Sequence, residues 1–99
     1  MVAKAIEIHS SALAELKSAM LWYMERNEVA AHNFAAEIDR ALDLVIEAPG
    51  RWPAGERATR KFVLRRFPFA VIYRETEKAV QVIAVAHGHR RPGYWKGRL

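Results

Sequence analysis

Cysteine is absent from this 99-residue chain. That excludes disulfide staples, thiolate metal sites and a thiol nucleophile. Serine is nearly as scarce, occurring only as Ser10, Ser11 and Ser18. None of the three lies in a G-x-S-x-G elbow, and each fits helix capping or a helix surface, so a serine hydrolase is excluded too. There is no P-loop and no G-x-G-x-x-G turn to cradle a nucleotide phosphate. Long apolar runs are missing as well. The opening MVAKAIEIHS has no signal-peptide core, and the apolar stretch from Ala79 to Ala86 is too short to span a bilayer. A cytoplasmic protein with no membrane association is the expectation.

What is present is enough for one small core. Hydrophobic residues make up 52% of the chain, with three Trp, three Tyr and four Phe. This is too apolar for a disordered protein, and the length predicts a single domain over 1–99. The net charge of +5 conceals a split. Residues 1–50 carry four Lys/Arg against eight Asp/Glu, a net −4, while residues 51–99 carry twelve against three, a net +9. Such an asymmetry is the electrostatic footprint of an anionic partner, although basic residues also serve simply to solubilise exposed strands.

Hydrophobic periodicity sketches the elements. Residues 3–8 alternate weakly and predict a short strand. Ser10 or Ser11 offers a helix N-cap. Leu13, Leu16, Met20, Tyr23 and Met24 then fall on one helical face. Asn27 and Glu28 mark a break. A second helix follows, with Phe34, Ile38, Leu42 and Val45 on one face and small alanines that permit close helix approach. Pro49-Gly50 ends it. Residues 51–59 read as a loop. Beyond them the period drops to two, in RKFVLRR (60–66), FAVIYRE (69–75) and AVQVIAVAH (79–87). Short connections predict an antiparallel meander whose last, almost wholly apolar strand is central. The order β-α-α-β-β-β predicts an α+β fold, a helical hairpin packed on one face of a small twisted antiparallel sheet. The other face is expected to stay open, and the tail, GHRRPGYWKGRL, to be irregular.

Among candidate chemistries, metal binding is weak. His87 and His89 share a strand face, but Arg90 and Arg91 beside them repel a divalent ion. No metal and no other cofactor is expected. The carboxylates, Glu15 among them, fall on helix positions best explained as solvated faces. What remains is a set of cations with aromatics: Lys61, Arg65, Arg66 and Arg74 on the strands, and Arg90, Arg91, Tyr94 and Trp95 on the tail. These are the candidate target-binding residues. Metal-free RNA cleavage requires a base, an acid and a cation for the phosphorane, and His87, Tyr94, Arg90 and Arg91 supply those types. Pure binding uses the same residues, with arginines on anions and aromatics as anchors. The sequence does not separate the two uses.

The run LRRFPFAVIYRETEKAVQVIAVAHGHRRPGYW (64–95) resembles the RelE/ParE superfamily of toxins from type II toxin–antitoxin modules. The likeness rests on arginines before F-P-F, a strand ending in I-Y-R, and A-V-A-H followed by R-R-P-G-Y-W. The resemblance implies a toxin of the plasmid-stabilisation type, neutralised by a ParD- or RelB-like antitoxin with an acidic tail, as a hetero-oligomer. It implies an antitoxin groove bordered by Leu13, Leu16, Met20 and Trp22. RelE-like members cut messenger RNA on the ribosome; Arg90 or Arg91 and Tyr94 match two of their site positions, whereas the strand basics do not align one by one. ParE-like members inhibit DNA gyrase without an RNase site. The P-G-Y-W ending and the long hairpin look more ParE-like. An inactive basic binding module is the third alternative.

Overall fold

A computed structural model describes residues 4–99. The chain forms a short strand β1 (Ala5–Ile8), helices α1 (Ser10–Arg26) and α2 (Glu28–Glu47), and strands β2 (Thr59–Val63), β3 (Phe69–Glu75) and β4 (Ala79–His87). The helical break falls at Asn27, which closes α1 and opens α2. Its backbone N–H donates to the Tyr23 carbonyl at 2.7 Å, and its side-chain oxygen accepts from the Ala30 N–H at 3.1 Å. The N-cap of α1 is His9 rather than Ser10 or Ser11: its Nδ1 accepts from the Ser11 N–H at 3.0 Å.

The sheet order is β1-β4-β3-β2. The fold class is as expected, with one refinement. β2, β3 and β4 form the antiparallel meander, but β1 pairs with β4 in parallel, Ala5 opposite Ala79 and Ile8 opposite Val82. The sheet is therefore mixed. A helical hairpin lies between β1 and the meander, so β1 reaches β4 by a crossover and not by a tight turn. β2 begins and ends earlier than its basic run suggests. Residues 64–68 turn instead, with the Leu64 N–H donating to the Phe69 carbonyl at 3.0 Å.

Both helices lie on one face of the sheet. Ala12 and Ala19 of α1 and Phe34, Ile38 and Ala41 of α2 are buried against Val71, Val82 and Val85. Burying a large apolar side chain contributes about 1.5–3 kcal/mol, and Phe34, at 0% exposure, is among the largest enclosed. Tyr73 and Val45 close the far end, where the Tyr73 hydroxyl donates to the Pro49 carbonyl at 2.6 Å.

The opposite face is not open, contrary to the sequence-based expectation. Between Ile72 and Tyr73 the register of β3 on β4 slips by one residue. Such a bulge turns two successive residues toward one face, and Ile83 and Ala84 join Ala70 and Ile72 there. The C-terminal tail covers them with Tyr94, Trp95 and Leu99. Its aromatic content offsets the Gly, Pro and charge that read as irregular.

Candidate functional site

The tail owes its path to local turns. Beyond His87 the Gly88 N–H donates to the Pro68 carbonyl, the Arg90 N–H to the His87 carbonyl and the Tyr94 N–H to the Arg91 carbonyl. Gly93 sits at φ +73°, and a Cβ there would lie 2.7 Å from the Lys96 side chain. Only glycine takes that conformation without strain. The chain thus reverses across the sheet. Lys96 forms an ion pair with Glu56 in the loop before β2.

At the centre of this arrangement is Glu15 of α1. Its carboxylate accepts from the Tyr94 hydroxyl at 2.6 Å, from the two Arg98 guanidinium nitrogens at 2.8 and 3.1 Å, and from the Val85 N–H at 3.1 Å. Arg98 also donates to the Ile83 carbonyl at 3.1 Å. β1 ends opposite Val82, which leaves that edge of β4 without a strand partner at Ile83 and Val85. Glu15 and Arg98 supply the missing acceptor and donor. Glu15 is therefore no solvated helix residue.

Burial raises the Glu15 pKa, but the hydrogen bonds from Arg98, Tyr94 and Val85 outweigh it and hold the carboxyl below its ordinary value. The bond to Glu15 raises the Arg98 pKa against the opposing effect of burial. Burial, then the hydrogen bond to Glu15, pushes the Tyr94 phenol up to about 12.

Two clefts flank the tail. One, of about 570 Å³, is lined by Trp22 and Tyr23 of α1, Phe69, His87, Arg90 and Tyr94. The other, of about 370 Å³, opens on the tail side of the sheet and is lined by Lys61, His87, Arg90, Arg91, Tyr94 and Trp95. The Arg90 guanidinium stacks over the Tyr94 ring at 3.9 Å. Neither Arg90 nor Arg91 forms an ion pair among the described residues. The expected target set is thus divided. Lys61, Arg90, Arg91, Tyr94 and Trp95 come together with His87. Arg65 and Arg66 line a separate cleft beside α2. Arg74 is engaged within the sheet, where its Nε donates to Gln81 at 2.9 Å.

The helix residues divide similarly. Leu16 and Met20 pack against the core. Trp22 is 52% exposed, with Arg26 stacked over its ring at 4.0 Å, and its neighbour Leu21 is exposed too, whereas Leu13 is exposed on the other side of the helix.

Chemically, the Tyr94 hydroxyl is a poor acid–base group. Its proton is already donated, and a pKa near 12 keeps the phenolate out of reach at neutral pH. His87 Nδ1 accepts from the His89 N–H at 3.0 Å, which leaves Nε2 for any outside contact. Among the described residues no group of three or more His, Asp or Glu is placed to hold a metal ion, and no helix is long and apolar enough to cross a membrane.

Residues 6–92 match the family model described as the ParE toxin of the type II toxin–antitoxin system, parDE. No curated protein sequence matches the chain. A solved structure described as the chromosomal ParDE TA system from P. aeruginosa superposes with a TM-score of 0.74 at 17% identity, covering 86% of this chain and 96% of that one. At that identity the likeness speaks for the fold.

Proposed function

The chain belongs to the ParE toxin family of type II toxin–antitoxin systems, and on that premise we propose that it inhibits DNA gyrase in the cytoplasm by binding, without catalysis, and is restrained by a cognate antitoxin. The state of Tyr94 carries the non-catalytic part of the reading. The one phenol in the cationic cleft has its proton committed to Glu15, and its high pKa denies it the role of a general base at neutral pH. Arg90, Arg91 and Lys61 around it, without carboxylate partners among the described residues, suit an anionic surface. The exposed end of α1 at Leu21 and Trp22, beside the cleft that Trp22 and Tyr23 line, suits an amphipathic antitoxin segment laid in a groove. An acidic antitoxin tail would complement the basic half of the chain. The test is a supercoiling assay with purified gyrase, run beside messenger RNA cleavage in a translating extract. Inhibited supercoiling with intact messages is expected.

A second reading has one observation in its favour. His87, Arg90, Arg91, Lys61 and Tyr94 share a cleft, as a ribosome-dependent endoribonuclease would require. Under that reading messages are cut, and Tyr94→Phe or Arg91→Ala abolishes cutting. Cleavage with that mutational pattern would replace the gyrase reading.

A further inference from the structure

Arg65 and Arg66 occupy the turn between β2 and β3, and that turn is fastened at both ends. The Glu37 carboxylate of α2 accepts from the backbone N–H groups of both arginines, at 2.5 and 3.1 Å. One residue further, Phe67 inserts between Tyr23 and Phe34, with ring centroids 5.1 and 5.2 Å apart. The backbone of the turn is therefore set by contacts that do not involve the two guanidinium groups. Both side chains are left facing a cleft of about 260 Å³, lined also by Asn33, Glu37 and Arg40 of α2. Among the described residues no carboxylate lies within ion-pair distance of Arg40, Arg65 or Arg66. Three arginines without carboxylate partners among the described residues thus line one concavity, and a guanidinium fork matches a carboxylate bidentately.

The surroundings decide which anion fits. Along Glu28–Glu47, α2 carries Glu28, Glu37, Asp39, Asp43 and Glu47, with Arg40 as its only Lys or Arg. A nucleic acid strand laid along α2 would run a line of phosphates past a helix that carries five carboxylates to one guanidinium. A short cluster of acidic side chains concentrates its charge at the arginines and continues on either side with neutral residues.

We propose that the cleft formed by Arg40, Arg65 and Arg66 is a docking site for a short acidic peptide segment of a protein partner. It stands apart from the cationic cleft under the tail. It does not depend on whether gyrase or messenger RNA is the target, because neither assay above reads it.

Fluorescence anisotropy on the full chain tests the proposal. The probes are a fluorescein-labelled peptide of six glutamates flanked by glycines and a labelled twelve-nucleotide single-stranded RNA. Four proteins are compared: wild type, the double variant Arg65→Ser with Arg66→Ser, Arg40→Ser, and Lys78→Ser in the distant β3–β4 turn as a charge-matched control. The Glu37 contacts are to backbone N–H groups, so the serine variants keep them, and circular dichroism melts confirm folding. The expected result is peptide binding that weakens about tenfold or more in the double variant and by several-fold in Arg40→Ser, while Lys78→Ser shifts it less than about twofold. Undetectable peptide binding to wild type, equal binding to wild type and double variant, or RNA bound more tightly than peptide with loss in the double variant would each overturn it.

Discussion

Glu15 shows how much one side chain can organise. It joins α1, the edge of β4 and the tail by hydrogen bonds to residues up to 83 positions away. Its sequence neighbourhood resembles any exposed helix face, and no local pattern announces partners so remote. That is why the sequence hid it, whereas the Arg90–Tyr94 pair, four residues apart, was legible. The pH dependence follows from its depressed pKa. In the unfolded chain Glu15 titrates near 4.5, and in the fold it titrates lower. Between those values the unfolded state binds more protons, so stability rises with pH there. The contribution is complete above about 4.5 and is lost as pH falls through the folded value. Urea titrations of Glu15→Gln should show a loss of about 1.5–3 kcal/mol at pH 7 and a shallower decline than wild type between pH 5 and 3. An equally steep decline in both proteins would refute the assignment. Tyr94→Phe, which removes one donor and keeps the ring, should cost about 1–2 kcal/mol in the same measurement.

At the scale of elements, the sequence was most informative where local rules dominate. β3 and β4 occupy the alternating runs that marked them, and the break between helices falls on Asn27. Asn27→Ala removes the cap of α2 and should lower stability by about 1 kcal/mol, measured by the urea midpoint. Where local rules are weak, the reading failed. The turn of 64–68 cut short a basic run that looked like strand, because Phe67 gains more by packing on Tyr23 and Phe34 than by extending β2. The loop before β2 holds Arg57 and Ala58 at φ +56° and +60°, a region costly for residues with a Cβ. Ala58→Gly removes that penalty and should raise the melting temperature by a few degrees; a lower melting temperature would show that the loop does not keep this conformation in solution.

For the whole molecule, the hairpin on one face and a strap of consecutive turns on the other enclose a sheet too small to be stable alone. The fold class was legible from the β-α-α-β-β-β order. The closure of the second face was not, because nothing in a Gly- and Pro-rich segment says where its aromatics will land. Deleting residues 93–99 removes Tyr94, Trp95 and Leu99 from Ala70, Ile72, Ile83 and Ala84, and leaves Glu15 without two partners. Full burial of two large side chains is worth about 3–6 kcal/mol; Tyr94 and Trp95 are partly buried, yet their loss together with the Glu15 contacts is a large share of the stability of a domain this size. The truncated chain should bind a hydrophobic dye and lose its cooperative thermal transition. A sharp melt within a few degrees of wild type would contradict this account of the strap.

The parallel register of β1 on β4 has a consequence for biosynthesis. Glu7 and Gln81, hydrogen-bonded across that seam, are 74 positions apart. A ribosome adding about 5–20 residues per second takes several seconds to bridge such an interval. Throughout that time the first strand has no neighbour to zip against. The nascent polypeptide therefore cannot complete its sheet until β4 has been made, and the first few residues to be synthesised are among the last to find their place.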